Sequence, residues 1–136
     1  MQNASAFVLT AVIAWTLFLL ILMEVLRTRF LVTKTVAANE FRPDNSNLPP
    51  YMQRLARAHA NCIESFPIVG GLLVVALLTN QADVTDALAP WLLLARLLQS
   101  SIHVVSTSVV ASWLRFIAFA IQMVIAVHWT WALLVR

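Results

Sequence analysis

The sequence predicts an all-α membrane protein, a bundle of four transmembrane helices, on the strength of three observations. Of its 136 residues, 61% are hydrophobic. Only 11% are charged, whereas a soluble domain carries about a quarter, and a small soluble domain could not keep so much apolar surface from water. The apolar residues also come in four long runs, and these predict helices because backbone groups in hydrocarbon must pair within their own segment.

Each apolar run accounts for one predicted helix. The first run, Ala6 to Met23, has eighteen residues without a charge, which is enough to cross a bilayer. Pro50 suits the first turn of the second helix, because the N–H that proline lacks would be unpaired there. We expect one domain over residues 1–136, with helices over about 5–33, 50–79, 85–106 and 109–135.

The basic residues are concentrated in one connection between helices. Residues 27–57 hold six of the nine Lys and Arg residues, whereas the turn at 80–86 has two aspartates and no base. Because loops rich in Lys and Arg stay in the cytoplasm, we expect the first loop there, both termini on the opposite side, and membrane lipids around the helices. A net charge of only +3, placed beside a membrane, argues against a nucleic-acid partner.

Two of the predicted helices carry a narrow polar stripe. In each stripe the residues follow one another at positions i, i+4 and i+7, so they share one face of the helix. The stripes are Arg57, Asn61 and Glu64 on the second helix and Arg96, Ser100 and His103 on the third. In the expected orientation both stripes lie in the cytoplasmic half of the bilayer, and Arg115 enters the fourth helix at the same level.

Ionisable groups at this depth need partners, because a charge in hydrocarbon costs roughly 2.5–3.5 kcal/mol on insertion scales. One interpretation is a structural ion pair between Glu64 and Arg96, with the other arginines at the headgroups. Against it, three arginines (Arg57, Arg96 and Arg115) share the single Glu64. The excess of positive charge favours a bound anion.

Cysteine and histidine usage excludes two other kinds of site. The single cysteine, Cys62, cannot form an internal disulfide framework, and three scattered histidines do not have the spacing of metal ligands, so no metal is expected. His103 ends its stripe and has two interpretations. It acts on a ligand as an acid, a base or a hydrogen-bond donor, or it pairs with a helix carbonyl or a lipid phosphate.

The second-helix stripe resembles the motif of the membrane-associated proteins in eicosanoid and glutathione metabolism (MAPEG), which include the microsomal glutathione transferases. The motif reads Arg57-Ala-His-Ala-Asn61-Cys-Ile-Glu64-Ser-Phe-Pro67. The segment from Arg96 to His103 is similar to the third-helix arginine segment of that family. The resemblance covers essentially the whole chain. It implies a homotrimer that binds glutathione, as co-substrate, between subunits near the cytoplasmic face.

The resemblance also implies roles for the matching residues. Those expected to bind glutathione are Arg57, Asn61, Glu64, Arg96 and Ser100, and those expected to act at its thiol are Arg115 and His103. Characterised members place a tyrosine seven residues after the third-helix arginine, and here that position is His103. The only tyrosine, Tyr51, lies outside the motif.

The function implied is a membrane-bound glutathione transferase or peroxidase, in which the thiolate attacks a lipophilic electrophile or a hydroperoxide. A neighbouring arginine favours the thiolate, which is the nucleophilic form of a thiol. The alternative is a non-catalytic family member that keeps the trimer and thiol binding. A small transporter fits less well, because the non-cytoplasmic half of the predicted bundle lacks a polar path.

Overall fold

A computed structural model describes residues 3–136, and within them the chain is all-helical without a β-strand. Its helices are α1 (Ala4–Val32), α2 (Pro50–Leu78), α3 (Ala82–Asp86), α4 (Ala89–Val105) and α5 (Val109–Leu134). By length and composition α1, α2 and α5 could each cross a membrane. The 17 residues of α4 give it a length of about 26 Å, and its crossing of the bilayer stays a prediction.

Local sequence signals set the ends of the long helices. The Asn3 side chain accepts a hydrogen bond from the Ala6 N–H at 3.0 Å, and Ser108 caps α5 by accepting from the Ala111 N–H at 3.1 Å. Such caps satisfy backbone donors that the first turn leaves unpaired. Beyond the end of α2, Asn80 adopts a φ of 57°, a left-handed conformation that asparagine tolerates better than most residues.

The single helix predicted over 85–106 is divided in the structure. The short α3 ends at Asp86, and α4 begins at Ala89 with Pro90 in its first turn. Proline has no N–H and suits the first turn of a helix, where that N–H would be unpaired, and Pro90 occupies this position in α4; α2, by contrast, continues through Pro67. Pro90 therefore suits the start of α4, and the residues before α4 form a connection.

Of the four long helices, α4 is the one that the other three, α1, α2 and α5, all contact. A buried cluster of apolar residues joins these four helices and includes the fully buried Trp129. A second cluster lies at the other end of α1 and α2 and takes in Val36 and Leu48 of the loop between them. Large apolar side chains on the outer faces of α1, α2, α4 and α5 stay exposed, as expected of surfaces that face lipid.

Asn45 holds the basic loop against the helices on either side. Its side chain is fully buried, and its Nδ2 donates to the Met52 carbonyl of α2 at 2.8 Å. Its Oδ1 accepts from Arg27 of α1, from Nε at 2.9 Å and from Nη2 at 2.7 Å. The end of α1 and the start of α2 are therefore tied together through one asparagine.

The opposite end of the bundle is held by α3. The Asp86 carboxylate accepts from the Ser5 N–H at 2.8 Å and from the Ser5 hydroxyl at 2.6 Å. Arg136 pairs with Asp83 at 2.7 Å, and its hydrogen bond holds the pKa of Asp83 below the ordinary value. These contacts bring together three parts of the chain at the end of the bundle away from the basic loop: the first turn of α1, the short helix α3, and Arg136.

Replacing Asp86 should detach the first turn of α1. Asp86→Ala is expected to lower the free energy of unfolding by about 1–2 kcal/mol, because the Ser5 N–H loses its acceptor, while the Ser5 hydroxyl keeps its contact with Thr85 Oγ1. Asp83→Ala serves as the control and should have a smaller effect, since exposed ion pairs contribute little. Thermal unfolding in detergent, followed by circular dichroism, compares the two. Equal midpoints would contradict the anchoring role of Asp86.

Candidate functional site

The structure gives the two polar stripes different environments. The first belongs to α2, where Arg57 and Glu64 are exposed and Asn61 is half-buried. The second belongs to α4, and its three members are buried between helices. These are Arg96, Ser100 and His103. The residues expected to bind one ligand therefore divide into an outward-facing set and an inward-facing set.

Arg96 is 3% exposed, and its guanidinium is bonded to α2. Nη1 donates to Asn61 Oδ1 at 2.7 Å, and Nη2 donates to Ser65 Oγ at 2.5 Å. Glu64 forms no ion pair within residues 3–136, so the structural pair with Arg96 is not formed in this chain. Ser65 lies about 100° from Glu64 around the helix, which is why the stripe did not include it.

Further polar contacts join α2 to α4 on the loop side of Arg96. Ser100 Oγ lies 3.3 Å from Cys62 Sγ, and both residues are buried. Closer to the loop, Arg54 Nε donates to the Val104 carbonyl at 2.9 Å. A cation at the C-terminal carbonyls of a helix is favourable, and this bond ties the start of α2 to the end of α4.

A pair of glutamines joins α4 to α5. Gln122 is fully buried, and its Nε2 donates to Gln99 Oε1 at 2.8 Å and to the Ala118 carbonyl at 3.0 Å. Gln99 lies three residues after Arg96, nearly on the same face of α4. The glutamine pair therefore fixes the rotation of α4 about its axis, and with it the direction in which Arg96 points.

Two arginines from different helices lie near the end of α4. Arg115 of α5 and Arg57 of α2 are both close enough to the buried His103 for their charges to act on its ring. Arg115 donates from Nη2 to Ser112 Oγ at 2.9 Å, while its Nε is buried without a partner in the part of the chain described. None of these three residues is paired with an acid within residues 3–136. The arrangement can hold an anion.

Glu64 is exposed on a helix that is long and apolar enough to cross a membrane. It lies fourteen residues before Leu78, the last residue of α2, which corresponds to about 21 Å along the helix. With Leu78 at one boundary of a hydrocarbon layer about 30 Å thick, Glu64 lies about 9 Å inside the other boundary. A carboxylate there needs a partner, and the described chain does not supply one.

Comparison with known proteins identifies the family. The model of the MAPEG family matches residues 5–135, nearly the whole chain. No curated protein and no solved structure gives a match. The resemblance of the second-helix motif is thereby confirmed at the level of the family.

Proposed function

The chain belongs to the MAPEG family, and we propose that it is a membrane-bound glutathione transferase that also reduces lipophilic hydroperoxides. The observation that carries the proposal is that Arg57 on α2 and Arg115 on α5, the two guanidinium groups near His103, have no acidic partner within residues 3–136. A thiolate or a carboxylate supplies the missing negative charge. Glutathione brings both kinds of group in one molecule.

The outer face of α2 has charges that complement glutathione. Arg57 and Glu64 are two turns apart, about 10 Å along the helix, with Asn61 between them. Glutathione is a small peptide with two carboxylates, one ammonium group and two amides. Arg57 is suited to a carboxylate, Glu64 to the ammonium group, and the Asn61 side chain to a peptide amide.

We propose a homotrimer with glutathione bound between subunits. Arg57 and Glu64 are exposed on the single chain, and apolar residues around them, such as Ile63 and Ile68, are also about half exposed. A second copy covering this face would remove the charges from lipid and enclose a ligand. The number of three subunits is taken from the family resemblance, not from the geometry of one chain.

The assembly is tested by its mass. Native mass spectrometry of the detergent-solubilised protein should show three chains as the dominant species. Apolar packing should provide most of the association energy, because polar contacts between membrane helices contribute only about 0.6 kcal/mol each. A preparation that stays monomeric across detergents and concentrations would contradict the trimer.

The chemistry proposed is attack by the glutathione thiolate. A thiol with a pKa of about 8.5 is mostly protonated at neutral pH, and a nearby guanidinium favours loss of its proton to water. In conjugation the sulfur forms a bond to carbon, and the leaving group departs with its electron pair. In the peroxidase reaction two glutathione molecules and a hydroperoxide give the disulfide, an alcohol and water. Holding the thiolate beside a substrate dissolved in the bilayer supplies the remaining acceleration.

Arg115 is the proposed stabiliser of the thiolate, with His103 as the other candidate. Arginine keeps its charge at any working pH, whereas an ordinary histidine titrates near pH 6.5. The basic loop is placed in the cytoplasm by the positive-inside rule. Glutathione would then enter from the cytosol, while the electrophile arrives from the membrane.

Glutathione binding is tested by calorimetry on the solubilised protein, with Glu64→Gln as the variant and Glu40→Gln, in the exposed loop, as a control of equal charge. Glu64→Gln should weaken affinity about tenfold or more, because the ligand's ammonium loses a charged acceptor. Glu40→Gln should bind as the wild type does. Unchanged affinity in Glu64→Gln would remove this residue from the site.

Turnover of chloro-dinitrobenzene by the same preparation separates the enzyme from the non-catalytic alternative. Binding accompanied by conjugation supports the transferase. Binding without conjugation of this electrophile or reduction of a hydroperoxide identifies the protein as non-catalytic. A wild-type protein that does not bind glutathione contradicts the proposed function.

Arg115→Ala should raise the pKa of the bound glutathione thiol and slow conjugation, while affinity changes little. The ultraviolet absorbance of the thiolate, titrated against pH, measures that pKa. Arg29→Ala removes an exposed arginine at the end of α1 and is the control. If His103→Ala shifts the titration and Arg115→Ala does not, the histidine stabilises the thiolate in place of the arginine.

A further inference from the structure

We propose that Arg96 is a positioning residue, which orients the Asn61 amide toward the ligand and does not itself touch glutathione. The inference rests on the proposed function and defines the role of one residue in it. Arg96 is 3% exposed and lies between α4 and α2, whereas Arg57 and Glu64 are on the outer face of α2. A ligand on that face meets Asn61 before it could reach Arg96.

The hydrogen-bonding capacity of the two side chains determines how Asn61 is oriented. A guanidinium has only donors, whereas the asparagine amide has an acceptor oxygen and a donor nitrogen. The 2.7 Å contact with Arg96 Nη1 therefore requires Asn61 Oδ1 on the inner side. Since Oδ1 and Nδ2 lie on opposite sides of the amide carbon, Nδ2 is directed away from Arg96.

Ser65 fixes the other branch of the guanidinium. Its hydroxyl donates to the Asn61 carbonyl at 3.0 Å, which leaves a lone pair of Oγ to accept from Arg96 Nη2. Because the guanidinium is planar, two bonds to α2 define its plane. The hydrogen bond between Gln99 and Gln122 holds α4 in the matching rotation. Arg96 is thus rigid, and it transfers that rigidity to Asn61.

The orientation has a consequence for ligand recognition. Asn61 follows Arg57 by four residues and precedes Glu64 by three, so Nδ2 lies between a cation and an anion along α2. An N–H donor there selects a ligand with a carbonyl oxygen between its carboxylate and its ammonium group, as a peptide has. A free Asn61 amide could rotate and present either its oxygen or its nitrogen. The hydrogen bond from Arg96 excludes the orientation in which the Asn61 oxygen faces the ligand.

A double-mutant cycle tests the positioning role through the glutathione dissociation constant. Arg96→Met and Asn61→Ala should each weaken binding, by up to about tenfold for the loss of one hydrogen bond. The double variant should bind no worse than Asn61→Ala, because Arg96 acts through Asn61 alone. If Arg96→Met weakens binding by the same factor in both backgrounds, Arg96 contacts the ligand directly and the proposal is wrong.

Two further variants separate positioning from general stability. Asn61→Asp keeps an oxygen for Arg96 but loses the outward N–H, so affinity should fall while the thermal midpoint is retained. Arg54→Met breaks a different bond between α2 and α4; it should lower the midpoint and leave affinity unchanged. If Arg54→Met loses as much glutathione affinity as Arg96→Met does, then any broken bond between α2 and α4 has this effect. Arg96 would in that case only stabilise the packing of the two helices.

If Arg96→Met does not fold, Arg96→Lys takes its place in the cycle, since lysine keeps the charge but cannot hold both α2 acceptors in one plane. The effect of Arg96→Lys on the glutathione dissociation constant is then compared between the wild-type and Asn61→Ala backgrounds, as for Arg96→Met. A wild-type protein that does not bind glutathione overturns the proposed function, and the positioning role with it. Wild-type binding together with independent effects of the two substitutions overturns the positioning role alone.

Discussion

The buried guanidinium of Arg96 is the constraint on which the arrangement of α2 against α4 depends. A charge held away from water must be matched by acceptors of good geometry, and Asn61 and Ser65 supply them from the facing helix. The small side chains of Cys62 and Ser100 meet between the same two helices, and small residues allow membrane helices to approach each other closely. Removing the Asn61 and Ser65 acceptors would leave the Arg96 charge uncompensated inside the bundle. This would cost more free energy than the two hydrogen bonds contribute to stability.

The same constraint divides the polar residues between the inside and the outside of the chain. Because Arg96 is satisfied by neutral groups, Glu64 is not needed for internal neutralisation and lies exposed on α2. Arg57 shares that face, and Arg115 of α5 adds a second guanidinium near His103. One chain therefore carries a polar surface at membrane depth that it does not cover itself, which is the physical reason for expecting a ligand and a neighbouring subunit there.

The helices could be predicted from the sequence more closely than the site. An apolar run predicted the helix over 5–33, and an apolar run together with Pro50 in the first turn predicted the helix over 50–79. The structure has Ala4–Val32 and Pro50–Leu78. The break before Pro90 was missed, since the residues around it are also apolar. Helical spacing predicted which residues share a face, but the contact of Arg96 with Asn61 joins residues 35 positions apart, and periodicity within one helix holds no information about packing between two.

The substitution of histidine for the family's tyrosine matters less for the electrostatics of the site than for its hydrogen bonding. Tyrosine contributes a neutral donor, and the positive potential near His103 comes from Arg57 and Arg115, whose charges do not depend on that position. Stabilisation of an anion is therefore retained whichever residue occupies it. A neutral imidazole still has one N–H to donate, but from a shorter side chain than tyrosine's. In the proposed glutathione site, the change moves the point from which that donor would reach the ligand, so binding of the anion and alignment of its sulfur would be separable properties.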